Sequence, residues 1–146
     1  MVHTKEACPT VAAIVMLASI LIGMTALNAQ ASRLCGVSLP PIDAGMVDDS
    51  LESSNGSTRA SINFVNQSSS PVDIYWIDYD GHRVLYRTNL AVGASWQVGT
   101  LLTHPWLVVV SGTGGTTAQD TGIRLAGFIA LTAYGDTAII TDKVAK

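Results

Sequence analysis

The stretch SSSPVDIYWIDYDGHRVLYR, residues 68–87, has the clearest secondary-structure pattern in this chain. It contains two short runs rich in β-branched and aromatic residues, and the dipeptide Asp80-Gly81 lies between them. Runs of this composition joined by Asp-Gly are typical of a β-hairpin, because glycine adopts the positive φ that tight turns require. The stretch therefore predicts two antiparallel strands, near Val72–Tyr79 and Arg83–Leu90.

The same pattern continues on both sides of this hairpin. Short apolar runs alternate with Gly, Pro, Asn and Ser, and no stretch repeats its apolar residues with the period of a helix. Seven short strands in about 80 residues are typical of an antiparallel β-sandwich. We therefore predict an all-β fold, a seven-stranded antiparallel sandwich over residues 59–142 with a short tail at 143–146. The predicted strands are Ala60–Asn66, Val72–Tyr79, Arg83–Leu90, Ser95–Leu101, Trp106–Ser111, Ile123–Thr132 and Asp136–Thr141.

The residues before the sandwich divide into two segments. Val11–Leu27 is an uncharged apolar run, and Ala29-Gln30-Ala31 follows it. This arrangement is typical of a secretory signal peptide, which predicts cleavage after residues 1–31, a secreted or periplasmic protein and membrane contact only during export. Seventeen residues also approach the length of a membrane anchor, which is the alternative. Residues 32–58 are rich in Ser, Pro, Gly and acids and predict a flexible linker.

Charge and cysteine content exclude further classes of protein. The net charge is −3, and the only basic residues between positions 61 and 141 are Arg83, Arg87 and Arg124. Such a chain lacks the basic stripe that nucleic acids require, so we expect no nucleic-acid partner. Export would leave Cys35 as the single cysteine of the mature chain, which excludes an intramolecular disulfide.

The histidines of the sequence do not indicate catalysis or a metal site. Only His82 and His104 lie beyond the predicted signal peptide. His82 is at the tip of the predicted hairpin, His104 has no carboxylate near it in sequence, and no nucleophile motif is present. Zinc requires three or four ligands, which two histidines and scattered aspartates do not provide. We therefore expect neither an enzyme nor a metal or other cofactor.

Three motifs resemble the β domain of the von Hippel–Lindau tumour suppressor family. They are INFVNQSSSPVDIYWIDYDG from residue 62, LYRTNLAVG from residue 85 and TLLTHPWLVV from residue 100, within a resemblance that extends over about residues 60–142. The resemblance implies a seven-stranded sandwich, in agreement with the strand pattern. It also implies a pocket for 4-hydroxyproline in an extended peptide, formed by Trp76, Tyr86, Thr100, His104 and Trp106. Thr100 stands where the family has serine, so the hydroxyl group is retained.

The chain departs from that family in two respects. The tumour suppressor continues into a helical domain that binds elongin C, whereas this chain ends five residues after Thr141, so we expect no elongin-type partner. A signal peptide would also separate the chain from the family's cytosolic substrate. The chemistry of the implied pocket nevertheless suits a proline, because aromatic faces pack against a pyrrolidine ring and the Thr100 and His104 side chains can bond its hydroxyl.

These observations predict an exported, non-catalytic module that binds an extended peptide through proline or 4-hydroxyproline. A glycan or a component of the cell envelope is an alternative ligand for the same fold. A purely structural or assembly subunit, whose aromatic side chains only pack in the core, is the second alternative. An exposed aromatic pocket would distinguish binding from packing.

The hairpin loop decides whether Trp76 and Tyr86 lie on one face of the sheet. The residue numbers of antiparallel pairs have a constant sum, and side chains alternate between the two faces of a strand. A two-residue loop makes this sum odd and places the two rings on opposite faces. A three-residue or bulged loop makes the sum even and places them on the same face. The Asp80-Gly81 dipeptide suits both geometries. We predict the three-residue or bulged loop, because a shared pocket requires an even sum.

Overall fold

In the computed structural model, the residues described are 36–56, 58–113 and 122–143. The predicted signal peptide, Cys35 and most of the predicted tail lie outside these residues. The described part contains seven strands and one helix: α1 Ala44–Ser50, β1 Arg59–Asn66, β2 Val72–Ile77, β3 Arg83–Leu90, β4 Ser95–Leu101, β5 Pro105–Val110, β6 Arg124–Ile129 and β7 Asp136–Ile140. All seven predicted strands are present, and their ends differ from the prediction by at most three residues.

The strands form two sheets that enclose one core. One sheet has the order β4-β1-β7 and the other the order β3-β2-β5-β6. Buried side chains of both sheets pack between them, among them Phe64, Ile74 and Phe128. The prediction of a seven-stranded sandwich is confirmed, but the pairing is not antiparallel throughout, because β1 and β7 pair in parallel. Parallel neighbours need a long connection, and here the five other strands lie between them in the chain.

The β2–β3 hairpin has the even register that a shared pocket requires from Tyr75 to Ile77, and the register shifts beyond Tyr75, where Tyr86 is the extra residue of β3. The N–H of Asp78 donates to the carbonyl of His82 at 2.9 Å, and this pair closes a three-residue loop. The last residue of the loop, Gly81, has a φ of +77°, the left-handed conformation that glycine adopts without steric cost. The prediction of a three-residue or bulged loop is confirmed in its three-residue form, and Trp76 and Tyr86 lie on the same face of the sheet.

Residues 36–56, which we refer to as the strap, first run beside β7 at Val37–Leu39 and then cover the outer face of the β3-β2-β5-β6 sheet. Val47 of α1 packs there in a second apolar cluster with Tyr75 and Leu107. Gly127 permits this close approach, because a Cβ atom at that position would lie 2.1 Å from a methyl carbon of Val47. α1 has seven residues, and no helix in the described part of the chain is long and apolar enough to cross a membrane.

A buried ion cluster ties the strap to the sheet. Asp48 of α1 accepts a hydrogen bond from Nε of Arg83 at 2.6 Å, and both side chains are fully buried. Nη1 of Arg124 lies 2.9 Å from the same carboxylate. This ordered segment differs from the flexible linker that we expect over residues 32–58. Composition alone does not reveal this order, because the partners of Asp48 are far away in sequence. Arg83, for example, lies 35 positions further along the chain.

Candidate functional site

A cleft of about 360 Å³ opens between the two sheets. All five residues that the sequence predicts for ligand binding line this cleft. Four lining residues are not among the predicted ones: Arg59, Ala60, Gly99 and Leu101. The volume is at the lower end of the range for pockets that bind small molecules, so the cleft suits one ring-sized group rather than a large ligand.

The register of the β3-β2-β5-β6 sheet brings the aromatic walls of the cleft together. Trp76 of β2 lies directly opposite Trp106 of β5, and the hairpin places Tyr86 on the same face. The ring centroids are 6.0 Å apart for Trp76 and Tyr86 and 5.1 Å apart for Tyr86 and Trp106, both in edge-to-face geometry. Trp106 is 1% exposed whereas Tyr86 is 50% exposed. The aromatic wall therefore extends from the core to the protein surface.

Thr100 supplies a hydroxyl group at the buried end of the cleft. Nε1 of Trp106 donates to Oγ1 of Thr100 at 2.9 Å, which fixes the position of this oxygen. The Thr100 O–H itself has only a 3.4 Å contact with the Leu101 carbonyl, at the long limit of a hydrogen bond. The hydroxyl can therefore turn to donate a shorter hydrogen bond to a ligand.

His104 presents a neutral imidazole to the cleft at pH 7. Burial lowers the pKa of His104 below its ordinary value of 6.5, because desolvation disfavours the cation. Its Nε2 lies 3.2 Å from the hydroxyl oxygen of Tyr79, and the described residues provide no partner for its Nδ1. A neutral imidazole has one donor and one acceptor nitrogen. His104 and Thr100 therefore each retain hydrogen-bonding capacity beside the cleft.

Two residues that the sequence analysis does not assign hold these side chains in place. Tyr79 of the hairpin loop packs edge-to-face against Trp76 and His104, with 5.6 Å between ring centroids in both pairs. Ser53 of the strap accepts a hydrogen bond from Nε1 of Trp76 at 2.7 Å and donates one to the carbonyl of Ile77. Ser53 lies 23 positions from Trp76 and has no local sequence signal, whereas the position of Tyr79 follows from the hairpin loop.

The hairpin loop also brings together Asp78, Asp80 and His82, whose candidate ligand atoms lie within 4.8 Å of one another. Oδ1 of Asp78 already accepts hydrogen bonds from the backbone N–H groups of Asp80 and His82, at 2.9 and 2.8 Å. Such side-chain bonds to the following backbone are typical of aspartate in turns. These hydrogen bonds explain why the three residues lie close together in the loop. The expectation of a protein without a metal site stays a prediction.

Comparison with known families identifies the central part of this sandwich. Residues 51–118 match the family model of the VHL beta domain, a range that begins in the strap, includes β1–β5 and contains all five predicted pocket residues. The resemblance drawn from the sequence motifs is confirmed over this range, so the part of the chain with β1–β5 is similar to the VHL beta domain, and the match ends before β6 and β7. The VHL beta domain is a non-enzymatic binding domain that acts in protein–protein recognition. A search of curated proteins found no match to the chain.

Proposed function

We propose that this chain is a non-catalytic binding module whose cleft takes the ring of a proline or 4-hydroxyproline in an extended peptide. The observation that carries this proposal is the convergence of three aromatic and two polar side chains on one cleft between the sheets. Aromatic faces provide a flat apolar surface for a pyrrolidine ring, a common mode of proline recognition. The half-exposed ring of Tyr86 makes this surface accessible to a ligand.

The edge of β4 supports an extended form of the ligand. Among the described strands, β4 has a neighbour on one side only, and its Gly99, Thr100 and Leu101 line the cleft. The unpaired N–H and C=O groups of an edge strand can pair with an added strand. Apart from its own chain neighbours, no atom lies within 4 Å of the position that a Cβ atom of Gly99 would take, so the face of the strand is open at this residue of the cleft. A peptide along this edge would carry its proline to the cleft.

The two polar side chains of the cleft, Thr100 and His104, provide a reason why it would prefer 4-hydroxyproline to proline. The Thr100 O–H and the imidazole of His104 can each form one hydrogen bond with a ring hydroxyl. An unmodified proline would exclude water from both groups without replacing those bonds, at a cost of about 1–3 kcal/mol. Hydroxylation of the partner would then act as a switch for binding.

The preference for 4-hydroxyproline is tested with paired peptides. We expect a hydroxyproline peptide to bind about tenfold or more tightly than its proline twin, since 1.4 kcal/mol corresponds to a factor of about ten. Thr100→Val should remove this preference, whereas Thr100→Ser should keep it because the hydroxyl is retained. Fluorescence titration measures both dissociation constants for each variant.

The ratio of the two dissociation constants is the informative quantity. Thr100→Val also leaves Nε1 of Trp106 without its acceptor, which should cost about 1–3 kcal/mol of folding stability. Because this cost applies equally in both titrations, it cancels in the ratio. Equal affinity of the wild-type protein for both peptides would contradict recognition of the hydroxyl.

We also propose that the protein is exported. The apolar run Val11–Leu27 and the Ala29-Gln30-Ala31 site support cleavage by a signal peptidase. The mature protein should begin at Ser32, which intact-mass measurement or N-terminal sequencing of the exported protein determines. Recovery of the full-length chain from membranes would instead support the anchored alternative.

A further inference from the structure

Arg59 places a positive charge on the lining of the cleft. It is the first residue of β1, it pairs with Leu101 of β4, and its side chain is exposed. Of the residues described in the lining, Arg59 alone carries a permanent charge, because burial keeps His104 neutral. The cleft therefore combines an apolar wall, two neutral polar groups and one cation.

The charge of Arg59 has no compensating partner in the described part of the chain. Arg83 and Arg124 form ion pairs with Asp48, but no carboxylate of residues 36–56, 58–113 or 122–143 lies within 4.0 Å of the Arg59 guanidinium. The planar donors of such a guanidinium match the oxygens of a carboxylate. The net charge of the chain is −3, so this charge is opposite in sign to that of the protein as a whole.

We propose that Arg59 selects ligands that carry an aspartate or glutamate one or two residues away from the proline in the cleft. The inference rests on the proposed peptide-binding function and adds the charge of the partner to it. An extended peptide advances about 3.3 Å per residue, so one or two positions separate the ring site from the rim of a cleft of this size. The partner is therefore an extended, locally acidic segment that contains the proline.

The test compares three hydroxyproline peptides that differ only in the residues next to the hydroxyproline, which are alanine, glutamate or lysine. The wild-type protein should bind the glutamate peptide about two- to fivefold more tightly than the alanine peptide, the range expected for an exposed ion pair. The lysine peptide should bind more weakly than the alanine peptide. Raising the salt concentration to 0.5 M should reduce these differences, because exposed charges are screened.

Three variants assign the effect to Arg59. Arg59→Gln should remove the preference for glutamate, so that this variant binds the glutamate, alanine and lysine peptides with similar affinities, and Arg59→Glu should reverse the preference in favour of lysine. Arg87→Gln is the matched control, because Arg87 is also an exposed arginine of a β-strand but does not line the cleft. It makes the same change in net charge and should keep the wild-type preference.

The outcomes separate this inference from the proposed function. The wild-type and Arg59→Gln proteins could both bind the alanine peptide and prefer the glutamate peptide to the same extent. This result would overturn the role of Arg59 and leave peptide binding supported. Loss of the preference in Arg87→Gln as well would assign it to net charge and also overturn the inference. Failure of all three peptides to bind the wild-type protein would overturn the proposed function and this inference together.

Discussion

Asp48→Ala is expected to lower the free energy of unfolding by about 3–5 kcal/mol, the cost of removing one partner from a buried ion pair. The side chains of Asp48 and Arg83 are both 0% exposed. Arginine does not lose its proton in proteins, so Arg83 cannot become neutral when its counter-charge is removed. Its guanidinium would remain buried without the carboxylate that pairs with it. Chemical denaturation followed by tryptophan fluorescence measures the loss.

The neighbouring acid provides the control for this prediction. Asp49 lies in the same helix, is 60% exposed and stands 3.6 Å from Arg124, so Asp49→Ala should cost no more than about 1 kcal/mol. The double variant Asp48→Leu with Arg83→Met should recover part of the loss, because apolar side chains of similar volume need no counter-charge. Equal, small losses for the two alanine variants would show that the ion cluster does not hold the strap to the sheet.

The strap also links this ion cluster to the cleft. Asp48 fixes α1 on the outer face of the sheet, and Ser53, five residues further along, accepts the hydrogen bond of the Trp76 indole. The backbone N–H of Ser53 donates to the carbonyl of Asp78 at 2.9 Å, next to the hairpin loop. Release of the strap would therefore remove two contacts that position Trp76 and the loop. The match to the VHL beta domain begins in this segment, at residue 51.

The strands were predictable because their signals are local. The alternation of buried and less buried residues along β1 is directly visible in its sequence, RASINFVN. The three-residue hairpin loop followed from a parity argument and from Asp80-Gly81, in which glycine can take the positive φ. The parallel pairing of β1 with β7 was not predictable in this way. These strands are about 70 residues apart in the chain, and no local pattern indicates which strands become neighbours.

The strap had a signal that the sequence analysis did not use. β2 and β5, VDIYWI and PWLVVV, are buried almost continuously rather than at alternate positions. A strand with two buried faces needs a covering layer on each side, and a two-sheet sandwich covers only one of them. The odd-numbered residues Tyr75, Leu107 and Val109 therefore required another element, and α1 of the strap provides it.

The candidate site was predictable to a similar extent. The family resemblance named five residues, and the structure brings all five to one cleft. Resemblance did not indicate Arg59 or Ser53, because both reach the site through contacts that are distant in sequence. Arg59 pairs with Leu101 in the β1–β4 register, and Ser53 of the strap accepts a hydrogen bond from Trp76. Sequence patterns therefore identify the residues that line the cleft more readily than a residue that positions them, such as Ser53, or one that adds a charge to the cleft, such as Arg59.

Phe64→Ala is expected to lower the free energy of unfolding by about 3–5 kcal/mol, the usual cost of truncating a buried phenylalanine. Phe64 is 0% exposed and lies where the two sheets meet. Its ring centroid is 5.9 Å from that of Trp106 and 6.0 Å from those of Trp96 and Phe128. Truncation would leave a cavity behind the wall of the cleft. Thermal or chemical denaturation measures the effect, and Phe64→Leu, which retains most of the volume, should cost much less.

Tyr86→Ala, measured beside Phe64→Ala, separates a binding site from a core that is merely aromatic. Both rings contact Trp106, but Tyr86 is 50% exposed, so its removal creates no closed cavity. It should cost at most about 1 kcal/mol of stability. If Tyr86 forms a wall for the ligand ring, the same variant should weaken peptide binding about tenfold or more, because aromatic anchors contribute disproportionately to binding. A structural subunit would show the same two stability losses, but its wild-type protein would bind no peptide. The two aromatic residues thus test whether this sandwich uses its exposed rings for recognition or only for packing.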